Sequence, residues 1–117
     1  MVDQELICKA IHGQNYVRLY YKNHAPNWHI VEPYALGNDH SGKLILAAWE
    51  WKGTIGKDSQ GIQYYTVDAI TEFEIDSAMF DRLQPGYNPA DRRFHSVECD
   101  FLTSRYNMRS TGVVPPM

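Results

Sequence analysis

The chain has 117 residues and a formal charge of −3 at pH 7, the length of a single domain able to bury roughly two-thirds of its unfolded surface without disulfides or metals. The net acidity leaves no sequence-wide electrostatic footprint for a polyanion, and no apolar run approaches the roughly 18 residues needed to cross a bilayer, so membrane spanning is excluded. Composition is otherwise that of a globular domain, apart from 8 Tyr, 3 Trp and 4 Phe, an aromatic excess that suits strands.

Met1 to Gln4 lack the charged and apolar regions of a secretory signal, and Cys8 and Cys99 are remote from each other. The expectation is a cytoplasmic protein with reduced thiols, Cys8 packing in a helix face. Leu6, Ile7, Ala10 and Ile11 fall at helical spacing between Asp3, an N-cap residue, and Gly13, a stop, which predicts one short amphipathic helix. From Asn15 to Lys22 the period switches to two: Val17, Leu19 and Tyr21 share one face, and Tyr16, Arg18, Tyr20 and Lys22 the other. Asn23 to Asn27 turn the chain into a second strand over Trp28 to Leu36, where Pro33 predicts an edge or a bulge.

The polar turn Asn38 to Gly42 leads into Lys43 to Trp51, the most apolar run, which reads as a central strand. Lys52 to Gly61 reads as a mobile loop and Ile62 to Val67 as a fourth strand. Thr71, Phe73 and Ile75 alternate with Glu72, Glu74 and Asp76, a half-buried strand with an acidic solvent face. Met79 to Leu83 suggest a helical turn. Two prolines, a glycine and an asparagine make Gln84 to Asp91 an irregular corner, ordered if Tyr87 is buried. The last strand is assigned to Arg92 to Leu102, with His95, Val97, Cys99 and Phe101 facing one way, and the tail from Ser104 is expected to fray. One helix and five or six short antiparallel strands predict a mainly β domain over residues 1–103, curled into a small barrel with the helix closing one end, followed by a flexible tail over 104–117.

The ordered segments Leu6-Ile7-x-x-Ala10-Ile11, Val17-Arg18-Leu19-x-Tyr21, Val31-Glu32-Pro33-Tyr34-x-Leu36, Leu44-Ile45-Leu46-Ala47-Ala48 and Tyr65-Thr66-Val67-Asp68-Ala69-Ile70 together resemble the WYL domain, over about residues 5–80. Each motif is unspecific alone; their order carries the resemblance. It implies an SH3-like or Sm-like antiparallel β-barrel, which in bacterial transcription regulators usually follows a DNA-binding helix-turn-helix and senses ligands, often nucleotides or single-stranded nucleic acid. Pro85-Gly86-Tyr87-Asn88-Pro89-x-Asp91-x-Arg93-Phe94 looks like the tail of short stand-alone bacterial relatives. The chain departs from the family at Ile45, where the naming Tyr would fall, and at Gln63 and Ala69, where the family carries arginines placed in its ligand groove. Losing both removes two forks able to grip a phosphate. The 117 residues contain no helix-turn-helix pattern.

Trp49, Trp51 and Tyr64 on neighbouring strands, with Arg18 and Tyr20 on a wet face, could form a stacking platform for a base or another planar ligand. The competing reading, that both tryptophans pack against the helix or a neighbouring subunit, carries more weight because large aromatics are buried more often than displayed. Arg92 and Arg93, with Arg82, Lys22, Tyr87 and Phe94, form either a phosphate clamp beside stacking rings or a solvated corner salt-linked to Asp81 and Asp91, and the acidic balance favours the corner. His12, His24, His29, His40 and His95 never recur at metal-ligand spacing, and no nucleophile elbow or phosphate loop occurs, so neither cofactor nor catalysis is expected. The expected function is a non-enzymatic ligand-binding or sensing module, with a small ligand or an oligonucleotide as partner. The alternative is an interaction module that forms a homodimer or binds a regulatory protein.

Overall fold

Asp3 ends an extended approach and accepts a hydrogen bond from the Glu5 N–H at 3.1 Å, so the helix α1 begins at Gln4 and runs to Gly13. In this computed structural model, which describes residues 2–22, 28–52, 61–88 and 91–101, the left-handed residue that stops α1 is Gln14, at φ 58°, rather than the expected Gly13. Ile7, Ala10 and Ile11 are fully buried, as their spacing requires.

Six strands follow: β1 (Asn15–Tyr21), β2 (His29–Asn38), β3 (Leu44–Lys52), β4 (Gly61–Thr66), β5 (Ile70–Met79) and β6 (Ser96–Asp100), with a 3₁₀ turn at Val67–Ala69 between β4 and β5. All are antiparallel in one sheet of order β4-β3-β2-β1-β5, and β6 pairs with β2. β2 organises the sheet. One of its edges follows β3 throughout, from Ile30 opposite Lys52 to Asn38 opposite Leu44. The other edge changes partner: His29 to Val31 pair with β1, and Ala35 to Asn38 pair with β6. Pro33, which has no N–H to give a ladder, stands in the gap between those two partners, beside a register shift. The bulge expected at Pro33 is therefore present, although β2 is interior and not an edge. Gly37 lets β6 approach: a Cβ there would stand 2.2 Å from the Ser96 carbonyl oxygen and 2.7 Å from the Phe94 ring.

The expected barrel is corrected by the ladder order. β4 and β5 lie at opposite ends of the sheet and, among the described residues, do not pair with each other, so the sheet stays open. The turn between them diverts the chain. The Thr66 N–H is taken by the Tyr21 hydroxyl at 2.8 Å and Lys22 N–H bonds Ala69 O at 2.7 Å, while Val67 and Ile70 fill the core. Nor does α1 close an end; it lies on one face against β1, β2 and β6. The exposed outer strand β5 carries Glu72, Glu74 and Asp76 outward, as its alternation predicted, which discourages edge pairing.

Further corrections follow from pairing. Met79 pairs with Asn15, so β5 continues to the place where a helical turn was expected, and residues 80–84 form none. β6 is shorter than its predicted span. A register shift between Leu36 and Gly37 separates exposed Val97 from Cys99, which joins the core under α1, and Phe101, just past the end of β6, packs on the opposite side with Tyr34 and Phe80. Cys8 and Cys99 are joined in a disulfide that ties α1 to β6, which overturns the expectation of reduced thiols and removes that ground for a cytoplasmic location. No described helix is long and apolar enough to cross a membrane. The expected turn over 23–27, most of the loop over 52–61 and the tail from 104 lie outside the described residues.

Candidate functional site

Directly opposed residues of antiparallel strands share a face. The register places Arg18 with Glu74 and Tyr20 with Glu72, Glu32 with Trp49, Trp49 with Ile62, and Ala47 with Tyr64. All of these lie on the face away from α1, because Val17, Val31 and Leu46, one residue out of phase, fill the core beneath the helix. Arg18, Tyr20, Trp49 and Tyr64 thus share a face, and Trp51, which the register shift leaves unopposed, reaches Glu32 on it. Trp49 and Trp51 do not pack against the helix. A different apolar cluster, Tyr34, Phe80 and Phe101, closes one part of this face, with Tyr16, Trp49, Ile62, Leu83 and Tyr87 packed around it. Tyr87 lies edge-on to Tyr34 at 5.2 Å, which orders the corner.

Within that shared face the residues divide into three groups. On the β1 side, Tyr20 stacks on Trp28, centroids 3.9 Å apart and planes 17° apart, with the Arg18 guanidinium carbon 5.4 Å from the Trp28 ring centre. Arg18 also bonds the Glu74 carboxylate at 2.7 Å. In the middle, Trp51 is 44% exposed and donates its indole N–H to Glu32. Trp49 is half-buried, and its indole N–H finds no acceptor among the described residues. On the β4 side, Tyr64 donates to Asp91 while Arg93 lies over the Tyr64 ring at 4.1 Å and 3.9 Å from Asp91. Arg92 is exposed and its carbonyl accepts from His40 Nε2 at 2.9 Å. Arg93 is thus salt-linked to Asp91, and Arg82, on the segment after β5, pairs separately with Asp81 at 3.5 Å.

Two participants escaped sequence reasoning. Trp28 was read as the start of a strand, although a tryptophan one residue before a strand next to a Tyr-rich neighbour was the available signal. Glu32 was absorbed into an apolar motif, yet a carboxylate inside such a run implies a buried partner set. It is fully buried and accepts from the Tyr34 hydroxyl at 2.6 Å, from Gln84 Nε2 at 3.2 Å and from Trp51. On the helix side, His29 Nδ1 and Glu50 Oε2 approach to 2.5 Å, both sealed from solvent, so this pair cannot meet a substrate. No group of three metal-ligating side chains occurs among the described residues.

Burial raises the hydroxyl pKa of Tyr16, Tyr34, Tyr64, Tyr65 and Tyr87, with carboxylates adding to it: Glu32 for Tyr16 and Tyr34, Asp91 for Tyr64, Glu50 for Tyr65, and Asp100 for Tyr87, which is pushed up to about 12. Each holds its proton more tightly folded than unfolded. Stability present below pH 10 is therefore lost as the pH rises from 10 towards 12 and beyond. In an alkaline titration, tyrosinate absorbance is expected to appear in two stages, the later one coinciding with loss of the circular dichroism of the fold. A single stage complete before unfolding contradicts this.

The elements define a small β module: an open antiparallel sheet with one helix on one face and aromatics on the other. No family model matches the sequence, and no curated protein matches it. Among solved structures, the proteasome accessory factor B/C (PafBC) of Arthrobacter aurescens is similar in fold, with a TM-score of 0.55 and 17% identity over 72% of this chain. The match spans 13% of that chain's length.

Proposed function

We propose that this chain is a non-enzymatic ligand-binding or sensing module of WYL type with a regulatory role, and that its ligand is a small planar molecule held on the aromatic face. The observation that carries the reading is the aromatic face itself: the Tyr20–Trp28 stack, the half-exposed Trp51 and Trp49, whose indole N–H has no acceptor among the described residues, lie on one side of a single sheet. The fold likeness to part of PafBC supports the type. Arg18, Tyr20, Trp49, Trp51 and Tyr64 are the proposed contacts, with Arg92 and Arg93 at the rim. A nucleotide or nucleic acid is the weaker candidate, because Arg18 and Arg93 are already engaged by Glu74 and Asp91 and the family's two groove arginines are Gln63 and Ala69 here.

Intrinsic tryptophan fluorescence tests this against adenosine, AMP, a short oligonucleotide and uncharged planar heterocycles. Quenching by the planar neutral compounds is expected, with Tyr20→Ala and Trp51→Ala each weakening binding about tenfold. A flat response to every compound overturns it. A second reading, a homo-oligomer or partner-binding module, draws on the outer edge of β4, which pairs with no further strand among the described residues. Light scattering separates the two, since a monomer of 13.5 kDa ends the homo-oligomer version.

A further inference from the structure

A cavity of about 460 Å³ opens where β1, β2 and the segment after β5 meet, its lining including Tyr16, Glu32, Met79, Phe80, Asp81, Arg82 and Gln84. Its volume falls within the range of small-molecule sites, roughly 300–1,000 Å³. The wall is mixed: an aromatic ring pair, Tyr16 edge-on to Phe80 at 5.6 Å, and a methionine that is 60% exposed at the mouth.

The charge of this cavity follows from its hydrogen bonds. Trp51 Nε1 and Gln84 Nε2 can only donate, so Glu32 Oε2 is an acceptor. The Tyr34 hydroxyl accepts the Gln84 backbone N–H at 2.8 Å and directs its own hydrogen to Glu32 Oε1. Both carboxylate oxygens are therefore acceptors, and the geometry fits the ionised form. All three donors are neutral, and no ion pair to Glu32 occurs among the described residues. Arg82 and Asp81 also line the cavity and pair with each other at 3.5 Å, so their charges offset and leave that of Glu32 uncompensated. A buried anion in this mixed wall imposes a negative field on whatever occupies the space, and that field is strengthened because water is excluded from its source.

We infer that this cavity binds a small ligand bearing a cationic ammonium group on an apolar or aromatic body, the body lying against Tyr16, Phe80 and Met79 and the cation held by the field of Glu32. Gln84, half-buried between the carboxylate and the opening, positions the ammonium through its amide oxygen while its amide nitrogen stays on Glu32. The same field repels phosphates and carboxylates. The inference does not depend on stacking at Tyr20 and Trp28, which do not line the cavity.

The test is a titration of the full chain, followed by nuclear magnetic resonance, with three probes of one shape: 2-phenylethylammonium, 2-phenylethanol and 3-phenylpropanoate. The ammonium is expected to shift the Trp51 indole N–H, Gln84 side-chain and Tyr16 resonances saturably, the alcohol to bind about tenfold more weakly, and the carboxylate to give no saturable shift. Glu32→Gln is expected to bring the ammonium and the alcohol within about twofold of each other. Should that variant fail to fold, Met79→Trp narrows the mouth from an exposed position without touching Glu32, and it is expected to abolish the ammonium shifts. Equal affinity for all three probes, no saturable shift with the ammonium, or unchanged binding in the Met79→Trp variant overturns the inference. Shifts confined to the cavity with no response at Tyr20 and Trp28 uphold it while counting against the stacking site. The converse pattern upholds stacking and overturns the cavity.

Discussion

Reduction of the Cys8–Cys99 disulfide is expected to lower the melting temperature by about 10 °C while leaving the fold intact at room temperature. The bond closes a loop with a sequence separation of 91, and the chain-entropy relation for a loop of that length gives about 4.6 kcal/mol of stabilisation, of which about 2–4 kcal/mol is typically realised. The effect is large because the bridge joins α1 to β6, elements from opposite ends of the described chain that otherwise meet through the core under the helix and one exposed hydrogen bond from Gln4 to Glu98. Ile7, Ala10 and Ile11 bury the helix face by contacts that do not involve the bond itself, so destabilisation rather than collapse is the expected outcome. Calorimetry of the oxidised and reduced protein, with the Cys8→Ser/Cys99→Ser double variant as a reference insensitive to reductant, measures it. Coincident transitions for the oxidised protein and that variant would sink the prediction.

The second large effect concerns the buried His29–Glu50 pair. Glu50→Ala and His29→Ala are each expected to cost about 3–5 kcal/mol, because either one strands a polar group in a region sealed from water. The two groups stand 2.5 Å apart with neither side chain exposed, and Tyr65 packs edge-on to His29 at 5.8 Å. Burying two polar side chains rewards the fold only while they satisfy each other. Replacing both together with apolar residues, His29→Phe with Glu50→Leu, is therefore expected to cost less than either alanine variant. Urea unfolding of the two single variants and the double gives the comparison. If both alanine variants lie within about 0.5 kcal/mol of the parent, the pair carries no such role.

The helix and the strands were readable for a simple physical reason: burying one face of a regular element imposes its period on the sequence. Ile7, Ala10 and Ile11 show the helical period, and Phe73 and Ile75 against Glu72, Glu74 and Asp76 show the period of two. The same logic placed Arg18 and Tyr20 on one side of β1 and Trp49 and Trp51 on one side of β3. It could not say that these sides coincide, since register between strands is set by pairing and not by either strand alone. Trp28 and Glu32 were missed because each becomes significant only through residues distant in sequence, Tyr20 for the first and Gln84 and Trp51 for the second.

The amino-acid sequence by itself determined where α1 and the first five strands run, which side of α1, β1 and β5 is apolar, and that the acidic face of β5 meets water, because those properties depend on neighbours a few residues apart. Only the tertiary structure decided that the sheet remains open, that Cys8 reaches Cys99, that the aromatics gather away from the helix, and that a carboxylate with no cation partner among the described residues lines a cavity. Each of these depends on where β4, β5, β6 and the segment after β5 finish relative to β2. That placement is a balance of long-range pairings, set here by the gap at Pro33, the close approach at Gly37 and the diverting turn at Val67–Ala69.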